Sequence, residues 1–285
     1  MDGCFEMDNN FYFIPCLGVM AKYNGKTPDL SILRELVGNH YDDFSKVNFS
    51  RSANAFPVEV SLFLSGSCNL KCSYCYYSSG GKSKEEDLKI DNIDIIISYL
   101  IRNAKIRKLI GHNYKISVLL TGGGEPTYNW DNFSYFVMKL KECSKTNELP
   151  VEISLVTNGI LGEQQIEFIC KYIDFIQISY DGLPELQNKN RRLVNGRSSS
   201  SLVEQTMMSL SLRGKEFSVR STVLPCDYIK IYEMVQDVFA KYSYAIKYHI
   251  EPIQYTGRAT SIERDTQGDN DIFIKEYIRT QKMAL

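Results

Sequence analysis

The sequence predicts an α/β fold, a partial (βα)6 barrel of the TIM type with a small N-terminal extension. Strand-like and helix-like segments alternate from Pro57 onward, which implies a parallel sheet with crossover helices. Six strand-like segments begin near residues 57, 115, 151, 173, 217 and 246. Residues 57–251 allot about 32 residues to each unit, close to the ~31 of a full eight-unit barrel, so the 285-residue chain holds six units and not eight. Alternation alone does not separate an open barrel from a doubly wound sheet, which stands as the alternative.

The elements follow in order. Residues 1–56 read as a separate extension: 11–22 are strand-like, Asn24-Gly25 is a turn signal, 31–37 read as a short helix and 48–55 as a polar connector. Residues 58–64 form the first core strand. A Ser/Gly/charged linker over 78–87 leads to Asp91, placed to cap a helix bearing Ile93, Ile96, Ile97 and Leu100. Residues 116–120 are a buried strand. Phe133, Phe136, Val137 and Leu140 then recur at i, i+3, i+4, i+7, the period of one helix face. Strand 151–156, a helix with Ile166 and Ile169, and strand 173–179 come next. A long polar loop leads to a helix with Val203, Met207 and Leu210, stopped by Gly214. Strand 217–224 precedes Asp227, placed to cap a helix of Ile231, Met234, Val235 and Val238. Residues 246–250 are the sixth strand.

Lys plus Arg number 33 and Asp plus Glu 34, for a net charge of −1, with 24% charged and 44% hydrophobic residues. This balance excludes a highly charged disordered chain and leaves enough apolar residues for a core. It gives no global basic footprint for nucleic acid. Asp2, Glu6 and Asp8 stand where a secretory signal would be basic. The apolar run 11–21 is too short for a membrane span and holds Pro15. The expectation is a cytoplasmic protein with reduced thiols and no membrane or nucleic-acid partner.

Three of the eight cysteines fall within eight residues, and such clustering points to metal or catalysis. Cys68-Asn69-Leu70-Lys71-Cys72-Ser73-Tyr74-Cys75 follows the first core strand with the spacing C-x3-C-x2-C. Three thiolates on one loop can ligate three irons of a cubane and leave the fourth open to a cofactor or substrate. Structural zinc wants four ligands; the next cysteine, Cys143, lies 68 residues on and the nearest histidine is His112, so a zinc site needs a distant residue to close it. A disulfide cannot use three cysteines evenly.

Further motifs sit at carboxyl ends of the strands, where α/β barrels bind ligands. Thr121-Gly122-Gly123-Gly124-Glu125-Pro126 follows the second strand, Thr157-Asn158-Gly159 the third and Ser179-Tyr180-Asp181-Gly182 the fourth, with Asn188-Lys189-Asn190-Arg191 beyond it. Glycines let a ligand approach the backbone. The G-x4-G-K-[ST] of a phosphate loop is absent. Ser and Asp can bond hydroxyls or a carboxylate, and a guanidinium suits a carboxylate. Each string also has a plainer reading as a Gly-rich turn, an Asn-Gly turn, a capped turn or a solvated basic loop. Glu251-Pro252 and Gly257-Arg258-Ala259 follow the sixth strand and carry no assigned chemistry.

On these residues the chain resembles the radical S-adenosylmethionine (SAM) superfamily, over about residues 57–260. Within it the chain is similar to the core domain of peptide-modifying maturases of the sulfatase-maturating and thioether-forming (SPASM) kind. The resemblance implies a [4Fe-4S] cluster on Cys68, Cys72 and Cys75. It implies SAM contacts at Gly123, Gly124, Glu125, Pro126, Asn158, Ser179, Asp181 and Arg191, with the Gly-Gly-Glu-Pro segment at the methionine amino group and the arginine at its carboxylate. Gln187 and Asn188 replace the family's usual His and Asp, while Lys189 and Arg191 match, and Arg192 is an alternative carboxylate partner. The implied reaction cleaves SAM to a 5′-deoxyadenosyl radical that abstracts hydrogen, from a peptide or protein side chain, with a reductant such as flavodoxin or ferredoxin. No catalytic acid or base is assigned. A truncated, non-catalytic iron–sulfur binding protein is the alternative.

The expected organisation is an extension over 1–56 that recognises peptide, a radical SAM core over 57–258 and a tail over 259–285. No cysteine follows Cys226, so the auxiliary-cluster domain of the resembling maturases is not expected within these residues. Cys143 and Cys170 are expected in the core.

Overall fold

The computed structural model describes residues 5–8, 11–14, 19–22, 56–82, 87–262 and 269–281. Strands β1 (Phe5–Asp8), β2 (Phe11–Ile14) and β3 (Val19–Lys22) form a three-stranded antiparallel sheet. The single strand-like stretch expected over 11–22 is thus two strands. Pro15, which has no N–H to give a ladder, stands directly after β2. The expected turn at Asn24-Gly25, the helix over 31–37 and the connector over 48–55 lie outside the described residues.

From β4 (Glu59–Phe63) the chain alternates: α1 (Ile90–Leu109), β5 (Ile116–Thr121), α2 (Trp130–Thr146), β6 (Val151–Thr157), α3 (Glu163–Tyr172), β7 (Phe175–Ser179), α4 (Pro184–Asn190), α5 (Ser200–Leu212), β8 (Phe217–Val223), α6 (Ile231–Lys241), β9 (Ala245–Pro252) and α7 (Asp269–Gln281). Short 3-10 turns occupy Pro225–Lys230 and Gly257–Ser261. The six strands form one parallel sheet in the order β4-β5-β6-β7-β8-β9. Spatial order equals chain order throughout. A doubly wound sheet would reverse that order at a switch point, so the open barrel is the fold.

Strand alternation decides which side chains reach the concave face. On β8 Phe217, Val219, Ser221 and Val223 are buried, while Ser218, Arg220 and Thr222 point the opposite way. The register sets Ser179 beside Arg220 and Thr222 beside Glu251. The helix faces read from the sequence are the buried ones: Phe133, Phe136, Val137 and Leu140 on α2, and Ile231, Met234, Val235 and Val238 on α6. Each such side chain contributes about 1.5–3 kcal/mol on full burial.

Three local expectations are corrected. Asp91 lies inside the first turn of α1 and does not precede it. Asp227 sits in the 3-10 turn before α6, where it is buried and accepts a bond from Lys189 Nζ at 3.1 Å. The polar loop after β7 contains the seven-residue α4, begun by Pro184, whose fixed φ suits a first helical position. Cys143 and Cys170 are half-buried.

The chain divides into two compact units. One gathers residues 1–59, 95–116 and 142–151; the other gathers 60–94, 117–141 and 152–285. The second unit holds a core cluster of Leu183, Leu186, Val223, Tyr228, Ile231 and Met234. A smaller cluster packs Tyr74 with Leu224, Ile253 and Ala259, with Cys72 against it. No helix among the described residues is long and apolar enough to cross a membrane.

Candidate active site

The loop after β4 is shaped by main-chain bonds to distant segments. Cys68 and Gly81 exchange N–H···O bonds of 3.0 and 2.8 Å. Lys71 N–H donates to the Arg192 carbonyl and Ser73 N–H to the Asn190 carbonyl, both at 2.8 Å. Cys68, Cys72 and Cys75 thereby open onto one cavity of about 500 Å³. Among the described residues, no three His, Cys, Asp or Glu side chains converge as ligands of a single metal ion. The three thiols share the lining of this one cavity.

Burial pushes the Cys68 thiol up to about 12, helped by the charge of nearby Glu125; N–H donors from Leu70 (3.4 Å) and Asn158 Nδ2 (3.7 Å) oppose this. Burial likewise pushes Cys72 up to about 11, opposed by the Arg191 charge. Both stay protonated at neutral pH unless a cation displaces the proton.

Gly122, Gly123, Gly124 and Glu125 line the cavity next to the thiols. Main-chain atoms crowd Gly124 and a side-chain ring crowds Gly123. A Cβ on Gly124 would stand 2.1 Å from the Ser67 carbonyl oxygen, and one on Gly123 would stand 2.6 Å from the Tyr77 ring. Glu125 is buried and accepts from Thr127 Oγ1 (2.7 Å), Thr157 Oγ1 (2.8 Å) and Asn158 N–H (2.7 Å). Burial raises its pKa, and these donors counter that. Its carboxylate therefore staples the end of β5 to the end of β6. Asn158 extends the staple to the cysteine loop through a 2.6 Å bond to Asn69 Oδ1.

Ser179 and Arg191 also line the cavity; Pro126 and Asp181 do not. Asp181 is 1% exposed and lies behind the arginine. It accepts from Arg191 Nε (3.0 Å), from Asn190 Nδ2 (3.3 Å) and from the Tyr74 hydroxyl (2.6 and 2.7 Å). The Arg191 guanidinium also lies over the Tyr74 ring at 5.2 Å. Burial works against the arginine's charge, and Tyr74 and Asp181 outweigh it, so its proton is held more tightly than usual. Arg191 engages Asp181 through Nε, which leaves its terminal nitrogens for a ligand. Arg192 turns its Nε to the Asn188 carbonyl and does not line the cavity.

Gln187 and Asn188 shape this loop. Gln187 accepts from Asp181 N–H and donates to Ser199 Oγ, each at 3.0 Å. Asn188 Oδ1 accepts from the N–H groups of Ser199 and Ser200 at the start of α5. Sequence reasoning missed Asn69, Arg220, Gln254 and Thr256 among the residues bordering the site. Arg220 pairs with Glu251 across β8 and β9, and both line the cavity. The alternation on β8 was the available signal for Arg220.

A cavity at the carboxyl ends of a six-unit parallel barrel, floored by three thiols and a glycine cradle, defines a class. The model of the Radical SAM superfamily matches residues 62–238, and the chain belongs to that family. It is 30% identical over 161 residues to the radical SAM cyclopropyl synthase TigE of Paramaledivibacter caminithermalis, covering 54% of this chain and 32% of that protein. It is 28% identical over 160 residues to a cysteine-type anaerobic sulfatase-maturating enzyme of Clostridium perfringens, covering 56% of this chain and 42% of that one. The chain thus spans less than half the length of these relatives. The solved structure of native anSMEcpe with bound AdoMet superposes with a TM-score of 0.65 at 21% identity, over 79% of this chain and 60% of that one. The same protein has been solved with AdoMet and the Kp18Cys peptide.

Proposed function

We propose that this chain is the core of a radical SAM enzyme, with a [4Fe-4S] cluster on Cys68, Cys72 and Cys75 and SAM in the adjoining cavity. The observation that carries the reading is the meeting of three thiols, the glycine cradle and Arg191 on one cavity. The residues fit both groups: three soft donors are a cluster's donor set, and a Cβ would fill the cradle at Gly123 and Gly124. When bound, the two groups supply reductive cleavage of SAM to a 5′-deoxyadenosyl radical that abstracts hydrogen.

The chain's own residues bind and orient. Arg191, fixed by Asp181, offers its terminal nitrogens to the SAM carboxylate. The cradle carbonyls and Ser179 accept and donate along the same wall. Glu125 and Asn158 hold the two strand ends and the cysteine loop in register. Asp181 supports Arg191 from behind.

A peptide or protein side chain is the proposed substrate, supported by the relatives' peptide chemistry. A flavodoxin- or ferredoxin-type donor is the proposed reductant, and the cytoplasm, which keeps thiols reduced, the proposed compartment. Residues 1–56 are the proposed peptide-recognition segment, since β1–β3 offer sheet edges to an added strand. Residues 57–258 are the proposed catalytic core and 259–285 a tail.

Anaerobic reconstitution tests the reading. The protein should bind about four irons, and Cys68→Ala, Cys72→Ala and Cys75→Ala should each lose them. With dithionite and SAM it should release 5′-deoxyadenosine. Iron uptake with no such release would leave a non-catalytic iron–sulfur protein and refute the enzyme. Removal of residues 1–56 without loss of peptide affinity would refute their role.

A further inference from the structure

Gly257-Arg258-Ala259 has no part in the site as described so far, yet it closes round the cysteine loop. Arg258 Nη2 donates to the carbonyls of Ser78 (2.8 Å) and Ser79, and Nη1 donates to the carbonyl of Cys72. The Arg258 N–H donates to the Cys75 carbonyl at 2.9 Å. Every one of these partners is a main-chain oxygen of the cysteine loop. Gly257 has φ +56°, and a Cβ there would stand 2.1 Å from the Tyr76 carbonyl oxygen and 2.6 Å from that of Cys75. Ala259 is fully buried in the cluster that includes Tyr74 and packs Cys72. A segment far along the chain thus grips the loop at its second cysteine, its third, and the turn beyond.

The kind of side chain matters. A guanidinium is a planar fork of five donors and can serve several carbonyls at once. An ammonium keeps the charge but gives its three protons from one point. The charge also stands close to the thiols, since the guanidinium donates to the carbonyl of Cys72 itself.

We propose that Arg258 is a positioning residue for the cluster, holding the Cys72 and Cys75 carbonyls in place and setting a positive charge beside the thiolates. The inference rests on the radical SAM reading. Its chemistry is general: partners beyond the ligand shell fix ligand geometry, and their loss costs about 10–100-fold in metal affinity. Added electrons make a cluster more negative, so a neighbouring cation favours the reduced state and raises the potential.

The test uses the full chain, reconstituted anaerobically, as wild type, Arg258→Ala, Arg258→Lys, Gly257→Ala and the control Arg213→Ala, whose ion pair with Glu163 lies away from the cavity. Cluster absorbance is followed under a chelator, the midpoint potential is titrated, and the metal-free proteins are melted. Arg258→Ala and Gly257→Ala should shed iron about 10–100-fold faster than wild type and the control. Arg258→Ala should also lower the potential. Arg258→Lys should hold the potential while shedding iron as fast as the alanine variant. If Arg258→Ala fails to fold, the lysine and Gly257→Ala variants still decide the positioning role. Wild-type iron retention in the variants that fold would overturn the inference alone, as would a potential in Arg258→Lys lowered as far as in Arg258→Ala. A wild-type protein that takes up no iron would overturn the radical SAM reading, and this inference with it.

Discussion

Asp181→Ala should unfold the metal-free protein far more easily than its single lost carboxylate suggests. Asp181 is 1% exposed and Arg191 8% exposed, so the variant leaves a guanidinium buried without its counter-charge. Breaking a buried pair from one side costs about 3–5 kcal/mol. The Tyr74 hydroxyl and Asn190 Nδ2 lose the same acceptor, which places the effect toward the upper end. For a chain of this size 1 kcal/mol moves the melting temperature about 2–4 °C, giving a fall of about 6–20 °C. Circular dichroism on metal-free protein measures it. Asp181→Ala combined with Arg191→Met leaves no orphaned charge and should recover part of the loss. The reasoning fails if the single variant melts within about 1 °C of wild type, or if the double variant melts lower still.

Other outcomes follow from the same geometry. Glu125→Ala strips the acceptor from Asn158 N–H, Thr127 Oγ1 and Thr157 Oγ1 and should cost about 3 kcal/mol or more in urea denaturation, with Glu125→Gln losing less. Gly123→Ala should fold, since the exposed Tyr77 ring can swing away; Gly124→Ala meets main-chain atoms of Gly66 and Ser67 and should give little soluble protein. In the metal-free state Cys68 and Cys72 titrate near 12 and 11, above the 9.0 of an ordinary thiol. Raised values favour the protonated fold, so this stability is complete below pH 9 and lost as pH climbs toward 11–12, which alkaline melts would show. Proton release on cluster loading at neutral pH is the companion measurement, since those thiols must ionise to ligate.

The barrel was legible because strand-like and helix-period segments alternate along the chain, and all six strands begin within two residues of their expected start. At β7 the helix α3 extends to Tyr172 and delays the strand to Phe175. Motif residues were legible as positions but not as roles. Asp181 and Pro126 were read as cofactor contacts; neither lines the cavity, and Asp181 engages Arg191 instead. That distinction depends on which way a side chain turns after the strand ends, and no local pattern encodes it. Likewise Gln187 and Asn188 looked like departures from a motif, whereas their bonds to Asp181, Ser199 and Ser200 build the loop. Arg258 escaped because its partners are carbonyls up to 186 residues away, and main-chain oxygens leave no trace in sequence.

The strap on the cysteine loop carries a consequence for biosynthesis. Arg258 leaves the ribosome 186 residues after Cys72, an interval of about 10–40 s at about 5–20 residues per second. During that time the thiols are outside the tunnel on a loop lacking its last brace. Because each strand pairs with the one translated before it, the barrel can grow vectorially, but the loop is complete only when the final strand has been laid down. The loop therefore gains its full set of main-chain bonds only after the last strand has been made, and on the radical SAM reading proposed above a cluster would find its complete seat only then.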